Sequence, residues 1–130
     1  MNKDNVIQET KVAAISIFKT NKKATYIYHK VERLSAALYI ISELFENKEP
    51  MKWTLREVSL ELVKTASNVF NNMSDTDHKK SIEKVSVSFL NVLSLVNVSY
   101  ASGLISEMNY DVLKKEFEES LQLVSVLYEQ

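Results

Sequence analysis

Turn-forming residues are scarce in this sequence of 130 residues, which contains one glycine and one proline. An average chain of this length carries roughly fifteen of the two together. Hairpins and tight turns depend on those residues, so their scarcity argues against a multi-stranded sheet. The sequence therefore predicts an all-α protein, built from a few long helices in one domain. A hydrophobic content of 45% is enough to form a core.

Cysteine is absent, which excludes disulfides, thiolate nucleophiles and cysteine-based zinc sites in this sequence. Its absence fits a reducing compartment. The first twenty residues also lack the pattern of a secretory signal, because their apolar run extends only from Val12 to Phe18 and contains the polar Ser16. We therefore expect a soluble, cytoplasmic protein.

Charge is missing from one long stretch, since Val85 to Ser106 contains no charged residue in 22 positions, although 25% of the chain is charged. A membrane-spanning helix would explain the gap, but the stretch holds many Ser and Asn residues that lipid would not accommodate. A β-strand is disfavoured because the alternation that begins at Val85 ends at Leu90, while apolar residues continue at helical spacing to Tyr100.

The favoured explanation for this stretch is a helix that is covered on both sides. Its apolar stripe would face its own bundle, and its Ser/Asn face would contact a partner, because a solvent-facing helix surface normally carries Lys and Glu. Symmetric self-association is common among soluble proteins, so we expect a homo-oligomer. The residues predicted to face the partner are Ser88, Asn91, Asn97, Ser99 and Ser102.

Apolar residues recur at spacings of three and four from Lys22 onward, which predicts an antiparallel four-helix bundle over residues 22–130. Residues 1–21 form either an N-terminal arm or an extra short helix. The first helix is expected to stop at residues 47–50, because proline cannot continue a helix but fits the first turn of the next one. The second helix is expected to extend from about Met51 to Asn71.

The two later helices have recognisable ends. Ser74 is expected to cap the third helix, with Asp75 and Asp77 near the positive end of its dipole. Gly103 is expected to close that helix in the left-handed conformation. Asn109 is expected to cap the fourth.

Catalytic patterns are largely missing. The two histidines, His29 and His78, do not form the Glu-x-x-His pairs of di-iron bundles, and His29 is expected at the surface or at the boundary of the core. Paired glutamates such as Glu116 and Glu119 lie among other charges and are interpreted as solvated faces. A single glycine does not provide a phosphate-binding loop. We therefore predict a protein that is not an enzyme and that uses no metal or cofactor.

Positive charge is concentrated near the N-terminus, where residues 1–35 hold seven basic and three acidic residues, whereas the chain as a whole has a net charge of −1. Tyr26 and Tyr28 lie among these cations, a combination that can stack bases and neutralise phosphates. A solvated helix start is the alternative. The residues predicted to contact nucleic acid are Lys19, Lys22, Lys23, Lys30 and Arg33.

A second basic patch surrounds the only tryptophan. Lys52 and Arg56 are one helical turn apart and flank Trp53, so they can present two cations beside an indole ring. In the alternative interpretation, Trp53 closes the end of the bundle over the loop while both cations remain in water.

The segments Lys30–Leu34 (KVERL), Ala37–Tyr39 and Glu49–Trp53 (EPMKW) resemble small uncharacterised helical proteins of candidate-phyla bacteria, which have no assigned activity. In helix order, and in a last helix that opens with Met108–Asn109, the chain also resembles the accessory variability protein of diversity-generating retroelements. That resemblance implies a four-helix bundle assembled as a homopentameric barrel, which binds the element's reverse transcriptase and RNA through a basic surface.

These observations lead to a hypothesis of a non-enzymatic, homo-oligomeric accessory protein of such a retroelement, with a reverse transcriptase and RNA as partners and no membrane attachment. The alternative is a helical protein-interaction or scaffold module without nucleic-acid binding. An enzyme would require a metal or nucleotide site between subunits, built from Glu43, Glu46, Glu57 or Glu61.

Overall fold

The computed structural model describes Lys3, residues 22–71 and residues 78–129, except for the side chains of Phe70, Asn71 and His78. In this part of the chain the regular secondary structure is entirely helical. The helices are α1 (Lys22–Ser42), α2 (Pro50–Asn71), α3 (His78–Ala101) and α4 (Glu107–Glu129). The predicted all-α four-helix architecture is confirmed. The predictions for residues 1–21 other than Lys3, and for the cap at Ser74, lie outside the described residues.

The four helices form a closed ring, in which α1 packs against α2 and α4, and α3 packs against α2 and α4. Successive helices run antiparallel. The Ser35 hydroxyl donates to the Ser59 carbonyl 3.2 Å away, while Arg56, earlier in α2, reaches Tyr39, later in α1. Short connections favour this arrangement, because antiparallel neighbours need only a turn between them.

A single core fills the ring, and its apolar residues come from all four helices and both described turns. In α3 four apolar side chains are 0% exposed, namely Val85, Phe89, Val92 and Val96. Their spacing of four, three and four places them on one stripe. Phe89 meets Phe117 of α4 edge to face, with ring centroids 6.1 Å apart, which is a favourable geometry for an aromatic pair.

The two turn-forming residues lie where the sequence predicts. Pro50 is the first residue of α2, and the Glu49 carboxylate accepts a hydrogen bond of 2.8 Å from the Met51 amide in its first turn. Gly103 follows α3 with φ of 87°. The Gly103 amide donates to the Tyr100 carbonyl and the Leu104 amide to the Ser99 carbonyl, the pair of bonds that defines a Schellman motif.

Two predicted helix ends are wrong. α1 ends at Ser42 rather than at residues 47–50, yet Phe45 remains buried because the turn folds back over the core. α4 begins at Glu107, and its cap is Ser106 rather than Asn109. The Ser106 carbonyl accepts from the Tyr110 amide and its hydroxyl accepts from the Asn109 amide. Asn109 therefore lies within the first turn that Ser106 caps.

Candidate interaction surface

The exposed side of α3 is uncharged from Val87 to Ala101. Val87, Leu90 and Val98 are 56%, 51% and 53% exposed. At 100° per residue this surface lies directly opposite the buried stripe of α3. We call it the α3 face. It consists of Val87, Leu90, Asn91, Ser94, Asn97, Val98 and Ala101.

α3 also has the length and composition of a membrane-spanning helix over Lys79–Ala101, with a mean hydropathy of 1.2. Core helices of soluble proteins meet the same criterion. Only 28% of the 18-residue window that meets the criterion is buried inside the bundle. The fold is compatible with a soluble protein.

The predicted partner-facing residues are placed on two different sides of α3. Asn91, Asn97 and Ser102 are exposed. Ser88 and Ser99 are buried, at 8% and 0% exposure, so the prediction is wrong for these two. Their positions turn them toward the core, where a serine is tolerated if its hydroxyl bonds to the helix backbone. The Ser99 hydroxyl does so, donating to the Leu95 carbonyl at 2.8 Å.

Sequence reasoning therefore missed the apolar part of this surface. It selected residues by type, as Ser and Asn, although the position around the helix decides exposure. A helical wheel centred on Ser94 identifies the missed residues, since the buried stripe then falls on the opposite side. These residues are Val87, Leu90, Ser94, Val98 and Ala101.

A tyrosine pair borders the α3 face near its C-terminal end. The rings of Tyr100 and Tyr110 stack with centroids 4.1 Å apart and planes 8° from parallel. The Tyr110 hydroxyl donates to the Asn97 side-chain oxygen at 2.7 Å. Asn97 is thus held in place at the surface, where its amide NH₂ group is oriented by that bond.

The predicted nucleic-acid residues are only partly available. Lys22, Lys23 and Arg33 are exposed and make no ion pair with another described residue. The Lys30 side chain instead extends from α1 to α4. Its ammonium donates to Glu116 at 2.8 Å and to Glu119 at 3.4 Å. The charge of Lys30 is therefore already paired within the chain, its contact with nucleic acid stays a prediction, and Lys19 lies outside the described residues.

The pKa of the Lys30 ammonium reflects its contact with α4. Burial alone lowers the pKa of its ammonium, but the hydrogen bonds to Glu116 and Glu119 and the negative charge of Glu116 outweigh burial and raise the pKa above its ordinary value. The two glutamates are one helical turn apart on α4. The expected solvated face is in fact the acidic side of an interhelical ion pair.

The second predicted patch, around Trp53, is also used within the fold. Lys52 is 3% exposed, and its ammonium donates to the Phe45 carbonyl and to the Asn47 side chain. The Arg56 guanidinium donates to the Ser42 hydroxyl, the Tyr39 carbonyl and Glu43. Neither cation is free for a ligand, and neither remains in water as the alternative supposed.

This arrangement has a simple cause at the end of α1. The last turn of α1 contains no basic residue, and no glycine follows it. The last carbonyls of α1 accept from backbone amides of the following turn, and Arg56 of α2 adds a further donor to the Tyr39 carbonyl. Lys52 bonds the Phe45 carbonyl in that turn, so both cations lie near the negative end of the helix dipole. Trp53, 52% exposed, donates its indole N–H to the Asn47 carbonyl at 2.7 Å and covers the turn.

His29 is 8% exposed, so of its two expected positions, the surface and the boundary of the core, the surface one is wrong. Its Nδ1 lies 3.6 Å from a Glu32 carboxylate oxygen, one turn further along α1. Among residues 22–71 and 78–129, no group of three or more His, Asp or Glu side chains is placed to hold a metal ion.

Comparison with known proteins gives no match: no family model, no curated protein and no solved structure is significantly similar to this chain. The resemblance to retroelement accessory proteins stays a prediction. The case for function therefore depends on the surfaces described above.

Proposed function

We propose that this protein is a non-enzymatic helical interaction module, located in the cytoplasm, that works by self-association through the α3 face. The observation that supports the proposal is the exposure of Val87, Leu90 and Val98 in a helix surface without charge. Large apolar side chains exposed together on one uncharged helix face are typical of interaction sites. Burial in a second molecule would recover part of the free energy that each fully buried side chain contributes, about 1.5–3 kcal/mol.

Light scattering over micromolar concentrations tests this proposal. The unaltered protein is expected to have a mass above that of one chain. Val98→Lys places a charge in the α3 face and is expected to give a monomer, because an unpaired charge is costly to bury. Val126→Lys is the matched control, since Val126 is a 41% exposed valine on α4, and it should leave the mass unchanged. A monomeric mass for the unaltered protein would reject the proposal.

A second candidate function is the retroelement accessory role, in which the protein binds a reverse transcriptase and its RNA. It is favoured by the exposure of Lys22, Lys23 and Arg33 on α1, near Tyr26, which is 54% exposed. These residues retain both components of single-strand binding, a cation to neutralise phosphate and a ring on which a base can stack.

The RNA test compares two double charge reversals. Lys22→Glu with Lys23→Glu is expected to weaken binding of single-stranded RNA and to reduce the salt dependence by about one phosphate contact for each lysine. Lys64→Glu with Lys115→Glu is the control, because both lysines are exposed on other helices. Equal weakening by the two double variants would contradict a specific site at the start of α1.

A further inference from the structure

We infer that the partner of the α3 face is a second copy of the chain, paired antiparallel about a two-fold axis that passes Ser94. The inference rests on the proposed function, because it specifies the geometry of that self-association. It is drawn from the order of residues along the α3 face and from the charges at the two ends of α3.

The α3 face reads nearly the same in both directions from Ser94. Three positions before and after it stand Asn91 and Asn97, and four positions away stand Leu90 and Val98. Seven positions away stand Val87 and Ala101, both small and apolar. An antiparallel two-fold pair places residue i of one chain beside residue j of the other and j beside i. Each apolar residue of the α3 face therefore faces an apolar residue of the second copy, and each polar residue faces a polar one.

Each pair of facing residues is chemically compatible. Leu90 of one copy packs on Val98 of the other, which covers the most apolar part of the surface. Asn91 meets Asn97, whose amide is already oriented by Tyr110, and two amides can exchange hydrogen bonds. Ser94 meets itself at the crossing point, where a small side chain lets the two helices approach closely. The face extends from Val87 to Ala101, which is about 21 Å of helix.

Charge selects the antiparallel orientation over the parallel one. The described first turn of α3 contains Lys79 and Lys80 and no acidic residue. The next turn contains Lys84 and Glu83, and the Glu83 carboxylate accepts a hydrogen bond from the Tyr128 hydroxyl of α4. Cations at this end oppose the positive pole of the helix dipole. Beyond the other end of α3 lie Glu107 and Asp111, in the first turns of α4.

An antiparallel pair brings Lys80 and Lys84 of one copy beside the negative end of α3 and Glu107 of the second copy. A parallel pair would place the two lysine clusters side by side, where like charges repel. An interface of this type is also closed, so assembly stops at two chains. That outcome differs from the homopentameric barrel implied by the resemblance.

Cysteine crosslinking tests the geometry directly, because the chain has no cysteine of its own. Ser94→Cys is expected to form a disulfide with itself across the two-fold axis. Val87→Cys and Ala101→Cys, on two differently sized chains, are expected to crosslink when mixed and not when oxidised separately. In the antiparallel pair two Val87 positions are about 21 Å apart, beyond the reach of a disulfide.

Ser125→Cys is the control, since Ser125 is exposed on α4. We expect at least roughly tenfold more crosslinked dimer from Ser94→Cys than from this control, because facing positions in packed helices satisfy disulfide geometry. Equal yields from the two would mean collisional crosslinking and would overturn the inference. Efficient crosslinking of Val87→Cys with itself would also overturn it, in favour of a parallel pair.

Light scattering separates this inference from the function on which it rests. A larger mass without the expected crosslinks, or a mass of five chains, would overturn the antiparallel dimer and leave self-association standing. A monomeric mass would reject both. Binding of anionic lipid vesicles by a monomeric chain would assign the α3 face to a membrane surface and would equally overturn the inference.

Discussion

The Arg56 side chain connects α2 to the end of α1. Its guanidinium donates to three acceptors, and each of these hydrogen bonds is 3.0 Å or shorter. It also lies 4.7 Å from the centre of the Tyr39 ring, a distance that is typical of a cation–π contact. A guanidinium is suited to this position because its donors point in fixed directions and can serve several acceptors at once.

Replacing Arg56 should therefore weaken folding. Arg56→Ala removes the donors to the Tyr39 carbonyl and to the buried Ser42 hydroxyl, so we expect a loss of about 1–3 kcal/mol in the free energy of unfolding. Arg33→Ala is the control, because Arg33 is exposed and makes no ion pair with another described residue. It should change stability by less than about 0.5 kcal/mol. Urea denaturation measures both, and equal losses would contradict the role given to Arg56.

Lys30 should make stability depend on alkaline pH. Its pKa is raised above the ordinary value of 10.5 in the folded chain, so the folded state holds the proton more tightly than the unfolded state. The resulting stabilisation is fully present below the ordinary pKa and is lost as pH rises through the raised pKa.

We expect Lys30→Met to be less stable than the unaltered protein at pH 8, and the difference to shrink as pH rises beyond about 10.5. Thermal unfolding across this pH range measures the effect. Lys64→Met, which removes an exposed lysine of α2, should show no such pH-dependent difference. A constant difference between Lys30→Met and the unaltered protein at every pH would mean that Lys30 stabilises only by packing.

At the scale of elements, the start of a helix depends on which residue can accept hydrogen bonds from the free backbone amides of its first turn. Two residues near the start of α4 are suitable caps by type, Ser106 and Asn109. Ser106 takes the role because Ile105 is buried beside the core and fixes where the chain turns. Packing of one apolar residue thus moves the start of the helix by a full turn of backbone.

This assignment predicts different effects for two alanine substitutions. Ser106→Ala removes the acceptor for the Asn109 amide and should cost about 0.5–2 kcal/mol of stability. Asn109→Ala changes a residue within the first turn, where alanine is a good helix former, and should cost little. Circular dichroism with urea compares the two. A larger loss from Asn109→Ala would restore Asn109 as the cap.

At the scale of the whole molecule, the ring of four helices leaves α3 with an apolar surface on each side. One side forms the core, and the other is the α3 face. If that face is an interface, folding and association are linked, because a partner that binds only the folded chain raises its apparent stability.

The midpoint of thermal unfolding should then rise by a few degrees for each tenfold increase in protein concentration. Leu90→Lys should abolish the dependence by placing a charge in the apolar part of the α3 face. Leu60→Lys, at a 47% exposed leucine of α2, should preserve it. Differential scanning calorimetry at several concentrations measures this, and a midpoint independent of concentration would speak against self-association.

The fold was largely predictable from the sequence, whereas the use of its charged residues was not. Pro50 and Gly103 define helix ends by backbone geometry alone, which is local and can be read from residue type. Lys30, Lys52 and Arg56 resemble surface cations in sequence, and only the neighbouring helix decides their partners. The α3 face was predictable in part. The spacing of apolar residues identifies which side of α3 is exposed, but selection by residue type alone wrongly placed Ser88 and Ser99 on that side.

The order of helices around the ring also governs how fast the chain can fold. α1, α2 and α3 each pack beside the next helix in sequence, and the packing of α1 against α4 joins distant parts of the described chain. Chains dominated by such local contacts fold in microseconds to milliseconds. The ring of helices closes where α1 packs against α4, at the ion pair between Lys30 and Glu116. We expect this contact between α1 and α4 to form last during folding and to break first during unfolding.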